Sequence, residues 1–177
     1  MTDFDKLERI LPNIFAGIAI IGVAAFFWNM SYKNKRYQHA YELCHDVQHS
    51  FNERSESCRK AIELSKELQP YAPGKGHRAY IKSNLLKIDY ARMLVKNGDY
   101  ESAEGLFDDV LRGFMLHWSR DAGPVLSETQ ATVLRYLVAV AEQESETLPV
   151  IERALDHENT RITWPILRGD LSKVSEQ

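Results

Sequence analysis

Two cysteines, Cys44 and Cys58, are the residues of this chain whose types and spacing could form a covalent cross-link. Helical periodicity before Phe51 and after Ser57 places them on either side of a predicted turn. Two antiparallel helices would bring the two thiols face to face, so a disulfide can form if this part of the chain lies in an oxidising compartment. The alternative is that both are small core residues at helix-packing positions.

Histidines close to these cysteines raise the question of a metal site. His45 and His49 are four residues apart and share one face of a helix, which is a ligand spacing found in zinc sites. His39 lies six residues from His45 and therefore off that face, and no Cys-x-x-Cys or acidic pair completes a ligand set. We predict no metal site and interpret the histidines as solvated side chains on a helix surface.

Catalytic and phosphate-binding motifs are missing from the sequence. Gly74-Lys75-Gly76 lacks the glycine spacing and the Ser or Thr of a phosphate-binding loop, and there is no nucleophile motif or dinucleotide fingerprint. The net charge is −3, and the longest basic run is the short segment from Lys33 to Arg36. We therefore predict no enzyme, no cofactor and no nucleic-acid partner.

An apolar segment from Ile14 to Trp28 contains no charged residue. With its flanks it covers residues 13–32, and about 20 residues are needed to cross a bilayer core. Trp28 and Tyr32, followed by three cations, are typical of an interfacial aromatic belt with a basic collar. We predict a short tail over residues 1–12 and a transmembrane anchor in contact with the lipid bilayer over residues 13–32. A buried core helix is the alternative.

The remaining residues, 33–177, are enough for one domain with its own core. Apolar residues spaced by three and four predict helices over about 37–51, 57–68, 77–97, 100–118, 127–144 and 149–157. Pro165 could open a last helix, and a short strand-like stretch covers 160–164. Neither Gly nor Pro lies between Val23 and Gln69, so the membrane helix can continue into the domain. The predicted fold class is all-α, with one N-terminal transmembrane helix followed by helical hairpins.

Residues 84–117 carry the spacing of a two-helix repeat. Ala91 and Ala103 take the small positions of the two helices, Gly98-Asp99-Tyr100 takes the turn, and Phe107 and Leu111 follow. This run resembles the tetratricopeptide repeat. A weaker copy covers residues 42–75, with Ala61 at a small position and Pro73 at the terminating proline. A generic helical bundle is the alternative.

A single N-terminal span followed by such repeats resembles the ancillary subunit family of the bacterial Sec translocon. That resemblance implies a membrane-tethered periplasmic domain that handles newly exported proteins. Import receptors of the mitochondrial outer membrane share the same layout. The expected partners are therefore other proteins, either client polypeptides or subunits of a membrane complex.

Repeat geometry implies a partner-binding groove, because the first helix of each tetratricopeptide repeat lines a concave face. The matching positions here are Leu85, Ile88, Arg92, Val95 and Lys96. Apolar contacts beside two cations would suit an extended or helical segment of acidic character. The alternative is that some of these residues pack on the neighbouring hairpin.

We predict a membrane-anchored protein-interaction module, an adaptor or chaperone-like factor for protein assembly or export. The alternative is a permanent accessory or structural subunit of a larger membrane complex. Counting Lys and Arg beside the span slightly favours a cytoplasmic domain. The paired cysteines and the family resemblance favour an exported one. We predict the bacterial inner membrane with the C-terminal domain periplasmic, and keep the cytoplasmic orientation as the alternative.

Overall fold

The structure is a computed structural model that describes residues 3–68, 76–118 and 128–156, with side chains described for 15–68, 80–112 and 129–156. Within these residues the fold is all-α, without strands. It has six helices: α1 (Asp3–His45), α2 (Phe51–Leu68), α3 (Gly76–Lys96), α4 (Tyr100–Trp118), α5 (Glu128–Gln143) and α6 (Leu148–Leu155). The predicted Pro73 position, the strand-like stretch over 160–164 and a helix at Pro165 lie outside the described residues.

Helix α1 is a single helix of 43 residues that belongs to two environments. Its first described side chains are exposed and apolar, as at Phe15, Ile18 and Phe27, whereas Tyr37 and Cys44 are buried in the core. By length and composition, the apolar part can cross a membrane. The prediction that this helix continues into the helical domain is confirmed, since α1 is one helix from Asp3 to His45. The continuity has a sequence cause, because neither Gly nor Pro occurs between Gly22 and Pro70.

Helix α2 begins six residues earlier than the sequence predicted, at Phe51 instead of Ser57. The backbone amide of Ser50 donates to Glu53 Oε2 at 3.0 Å, and the amide of Glu53 lies 3.4 Å from Ser50 Oγ. This reciprocal pair is a capping box, which satisfies amides that the first turn of a helix leaves without partners. The polar residues after Phe51 are therefore the exposed face of the first turns of α2 rather than a loop.

Helices α3 and α4 form a hairpin whose turn depends on Gly98. Its φ is 82°, in the left-handed region that glycine adopts at little cost. The amide of Asp99 donates to Leu94 O at 3.0 Å and that of Gly98 to Val95 O at 2.9 Å, the two bonds of a Schellman motif. Asp99 Oδ1 then accepts from the Ser102 amide at 3.2 Å and so caps α4.

The core forms around α3, which packs against α2, α4 and α5. Helix α6 opens with Pro149 in its first turn and packs chiefly on α4. Phe107 of α4, Leu137 of α5 and Ile151 of α6 are fully buried in one continuous apolar cluster. Helix α1 packs mainly on α2. Its buried residues Tyr37, Ala40 and Cys44 belong to the same apolar cluster.

Candidate functional site

Arg92, on α3, is the centre of a polar network that spans three helices. Its guanidinium donates to both carboxylate oxygens of Glu144, from Nε to Oε2 at 3.0 Å and from Nη2 to Oε1 at 2.6 Å. Two parallel bonds of this kind fix the planes of both groups. Glu144 also accepts from Lys96 Nζ at 3.0 Å and from Thr147 Oγ1 at 3.1 Å. The end of α3 is thus fastened to the turn between α5 and α6.

Asp89 and Tyr136 extend this network from α3 to α5. Arg92 Nη1 donates to Asp89 Oδ1 at 3.1 Å and to the Tyr136 hydroxyl at 2.9 Å. The Tyr136 hydroxyl in turn donates to Asp89 Oδ1 at 2.5 Å. Burial and this bond to Asp89 raise the pKa of Tyr136 to about 12, so its hydroxyl keeps its proton.

His45 connects the last turn of α1 to the same carboxylate. Its Nδ1 lies 2.9 Å from Tyr41 O, and its Nε2 lies 3.5 Å from Asp89 Oδ2. Because both neighbours are acceptors, both ring nitrogens can donate only in the imidazolium form. The bond to Asp89 accordingly raises the pKa of His45 above its usual value.

The two carboxyl groups of the network are held ionised. The bonds from Arg92 lower the pKa of Glu144 to about 2. Burial of Asp89 opposes ionisation, but the hydrogen bonds from His45 and Tyr136 and the charges of His45 and Arg92 together outweigh it, and the pKa of Asp89 falls below its usual value. Two anions therefore face Arg92, Lys96 and His45, so the charges of this network are largely compensated from within.

The spacing along α3 explains why one helix supplies so much of the network. Asp89, Arg92 and Lys96 follow at intervals of three and four and so lie on one face of the helix. Ile88 and Val95 lie on the adjoining face of α3, which is buried. Glu144 directly follows α5, and the fold brings its carboxylate to α3.

The five residues of the predicted groove do not share one open surface. Ile88 is 0% and Val95 2% exposed, so these two side chains lie in the core. Their burial favours the alternative that some groove residues pack on the neighbouring hairpins, because α3 is covered by α2, α4 and α5. Leu85 and Arg92 are half-buried and Lys96 is exposed. Neither predicted cation is free, since both contact Glu144.

A disulfide joins Cys44 to Cys58 and fastens α1 to α2. Both residues are buried, and Arg54 Nε donates to Cys44 O at 3.1 Å beside them. The cross-link thus lies at the end of α1 that is remote from the apolar segment. It holds the first hairpin close to His45 and the polar network.

The histidines lie beside separate carboxylates and do not form a shared ligand set. His49 lies 3.6 Å from Asp46 and 3.8 Å from Glu53, whereas His45 turns to Asp89. Among the residues that the structure describes, no group of three or more His, Cys, Asp or Glu side chains could hold a metal ion.

Sequence reasoning missed Asp89, Tyr136 and Glu144 as partners of Arg92. The interval of three between Asp89 and Arg92 was a usable signal for an ion pair on one helix. Contacts of Arg92 with Tyr136 and Glu144 join residues 44 and 52 positions apart, and helical periodicity carries no information on such pairs.

Fold and network together describe an all-helical protein with one candidate membrane-spanning helix in the described part of the chain. Comparison of the chain with protein-family models, with curated proteins and with solved structures gives no match.

Proposed function

We propose that this chain is a single-pass membrane protein whose helical domain docks other proteins, as an adaptor or chaperone-like factor in protein assembly or export. The observation that carries the proposal is the continuity of α1, which is exposed and apolar at Phe15 and buried in the domain core at Cys44. Such a helix holds a folded domain at a fixed place beside the bilayer. Presenting a binding surface there is a role that needs no catalytic group.

A tetratricopeptide-like arrangement is the finer part of the proposal. Ala91 and Ala103, the small positions of the best repeat copy, are both 0% exposed, which allows close approach of α3 and α4. Helix α5 packs on α3 and α6 on α4, as the first and second helices of successive repeats would. His45, Asp89 and Tyr136 also connect α1, α3 and α5, the first helices of the three hairpins, on one face.

This shared face, lined by first helices, is the proposed docking surface. Leu85 and Lys96 keep exposed surface on it, and Lys96 is 62% exposed although it contacts Glu144. Arg92 acts within the network and sets the shape of the face instead of meeting the partner. An acidic segment of a client protein would gain contacts with Leu85 and Lys96.

The disulfide supports an exported domain, because buried disulfides persist in oxidising compartments. We propose the bacterial inner membrane, with the helical domain in the periplasm. Lys33, Lys35 and Arg36 beside the span favour the cytoplasmic alternative by a small margin. An impermeant thiol reagent applied to intact cells will label a cysteine added at the C-terminus if the domain is exported, and will leave it unlabelled if the domain is cytoplasmic.

A permanent accessory subunit is the second candidate function. It is favoured by the anchor itself, whose described side chains, such as Ile20, Ile21 and Trp28, are exposed and could pack against other membrane helices. Gentle detergent extraction separates the two candidates. A permanent subunit comigrates in fixed ratio with one large assembly, whereas an adaptor is recovered with substoichiometric clients.

Site-specific photo-crosslinking tests the docking surface. A photoreactive amino acid at Leu85 or Lys96 should give discrete adducts with one or a few proteins, and one at Glu56, exposed on α2, should not. Adducts of equal yield at all three positions, or at Glu56 alone, would contradict the proposed surface.

A further inference from the structure

The C-terminal end of α2 lies beside the point where α1 leaves its membrane segment. Lys33 Nζ lies 2.9 Å from Glu67 Oε2, one residue before α2 ends at Leu68. At the other end of the same hairpin, Cys44 is bonded to Cys58. Helix α2 therefore runs along α1 from the disulfide down to the residue that follows the span.

The depth of this end relative to the bilayer follows from helix geometry. A headgroup layer is about 5–7 Å thick on each side of the hydrocarbon core. With a rise of about 1.5 Å per residue, α1 crosses that layer within about four residues after Tyr32. With the proposed span over residues 13–32, Lys33 and its partner Glu67 would therefore lie among the headgroups.

Helix α3 reaches the same level beside α2. Ser65 Oγ and Ser83 Oγ are 2.9 Å apart and buried, which aligns the two helices side by side. Lys66 and Lys82, the neighbours of these serines, are both exposed. They lie close to the level of Glu67 and so within reach of the headgroup layer.

Among the described residues, exposed cations collect at this end of the domain. Lys35, Arg36, Lys66 and Lys82 are exposed, and none has an ion-pair partner among the described residues. Glu67, the acidic residue at this level of α2, is bound to Lys33, and the nearby charge of Arg36 also lowers its pKa. The opposite end carries acidic residues in and beside its turns, namely Asp46, Glu53, Asp99, Glu101 and Glu146, together with Arg54 and Lys96, which are bound to Cys44 O and Glu144.

We propose that this basic end, defined by Lys35, Arg36, Lys66 and Lys82, binds the anionic phospholipid headgroups of the bilayer that holds α1. The proposal rests on the single-pass anchorage proposed above and adds a second membrane contact, made by the domain itself. Each Lys or Arg near an anionic surface strengthens the association about five-fold. Contact through α2 and α3 as well as α1 fixes the tilt of the domain, and with it the direction in which the docking face points.

Lipid selectivity of the full chain in bilayers tests this contact. The protein is reconstituted into phosphatidylcholine containing about 30% phosphatidylglycerol, an anionic surface of the kind that attracts Lys and Arg. Electron spin resonance of trace spin-labelled lipids then measures the preference of the protein for phosphatidylglycerol over phosphatidylcholine. We expect a several-fold preference that decreases in high salt, since salt screens exposed charges.

Reversing charges on α2 and α3 separates the contribution of the domain to this lipid preference from the contribution of the membrane helix. Lys66→Glu with Lys82→Glu should reduce the preference to less than half, since Lys35 and Arg36 remain. The matched control is Arg59→Glu with Lys60→Glu, the same charge change on exposed residues about 10 Å further along α2. The control should retain the wild-type preference, and circular dichroism verifies that both variants are helical.

Two results would overturn the proposal for the basic end. One is an unchanged preference in the Lys66/Lys82 variant, and the other is an equal loss in the control, which would indicate net charge rather than contact. A different set of results is expected if α1 does not span the bilayer. Alkaline carbonate would then extract the chain from the bilayer, no motionally restricted lipid would be seen, and both proposals would be overturned together.

Discussion

Arg92 illustrates how a side chain that looks available in the sequence becomes occupied in the fold. Its guanidinium bonds Glu144, Asp89 and Tyr136, and it is 27% exposed. A partner protein that bound Arg92 would have to replace these bonds with equivalent ones. The residue is therefore better suited to holding α3 to α5 and its following turn than to capturing an acidic ligand.

Replacing Glu144 with Gln should lower the stability of the helical domain. The change removes the charge that Arg92 and Lys96 share, and hydrogen bonds to charged groups each contribute about 1.5–3 kcal/mol, so we expect a loss of about 2 kcal/mol. Glu146→Gln, an exposed position two residues away, is the matched control and should be neutral. Urea unfolding in detergent, followed by circular dichroism, measures both. Equal stability of the two variants would contradict a structural role for the pair.

His45 should make the stability of the domain depend on pH. Its pKa in the folded protein is raised above the unfolded value by the bond to Asp89, so its stabilising contribution is complete below about pH 6.5 and is lost as pH rises through the folded pKa. His45→Gln should therefore lower the melting temperature more at about pH 5.5 than at about pH 8.5. His39→Gln, an exposed position without the Asp89 contact, is the control. A deficit of His45→Gln that is the same at both pH values would contradict the imidazolium assignment.

For individual residues, the sequence indicated which side chains could form ion pairs or a disulfide, but not which side chains they would contact. The positions of Arg92 and Lys96 on one face of α3 followed from their spacing, whereas their contact with Glu144 depends on how α5 packs on α3. The cysteines left two outcomes open, and the structure pairs Cys44 with Cys58. Ile88 and Val95 were assigned to a groove because the repeat pattern alone does not show which face of α3 is covered.

The turns that connect the helices depend on a few backbone positions. Gly98 has a φ of 82°, and a Cβ there would meet no atom within 4 Å, so the cost of a side chain is conformational rather than steric. Gly98→Ala should destabilise the domain by about 1 kcal/mol. Gly105→Ala, inside α4 with equally open space, should be neutral or stabilise by up to about 1 kcal/mol. Thermal unfolding of both variants measures the difference, and a stabilising Gly98→Ala would contradict the left-handed turn.

The disulfide contributes at the scale of the first hairpin. It closes a loop with a sequence separation of 14, for which loss of the cross-link costs about 3 kcal/mol. Cys44→Ala with Cys58→Ala should lower the free energy of unfolding by about that amount and loosen α1 from α2 near His45. Intact mass after thiol alkylation, without reductant, provides the complementary measurement. Two alkylated thiols in membrane-extracted protein would contradict the cross-link.

Most helix ends could be predicted because they are local. Gly98 and Pro149 end or open helices through their own backbone preferences, and the predicted bounds of α3, α4 and α6 agree with the observed ones to within about two residues. The start of α2 was missed because Ser50 and Glu53 lie in a polar stretch that resembles a loop. The capping box was present in the sequence as Ser-x-x-Glu, and that pattern was the usable signal.

For the whole molecule, the decisive feature is that the apolar segment and the first domain helix are one element. The absence of Gly and Pro after Gly22 made a continuous helix predictable. The order in which the hairpins pack could not be predicted from the sequence, because it depends on long-range contacts such as those of α5 with α3 and α6 with α4. Because α2 is joined to α1 at Lys33 and at Cys44, the domain should move together with the apolar segment of α1.

Hydrogen exchange of the full chain in lipid nanodiscs, read by mass spectrometry, is the most direct test of the proposal that this continuous helix is held in a bilayer. Amides of residues 13–32 should be protected by the bilayer, and those of residues 33–45 by the helix packed on α2, without a rapidly exchanging gap between them. Rapid exchange across residues 29–36 would indicate a flexible joint and contradict the rigid presentation of the domain. Rapid exchange throughout residues 13–32 would contradict the anchor itself.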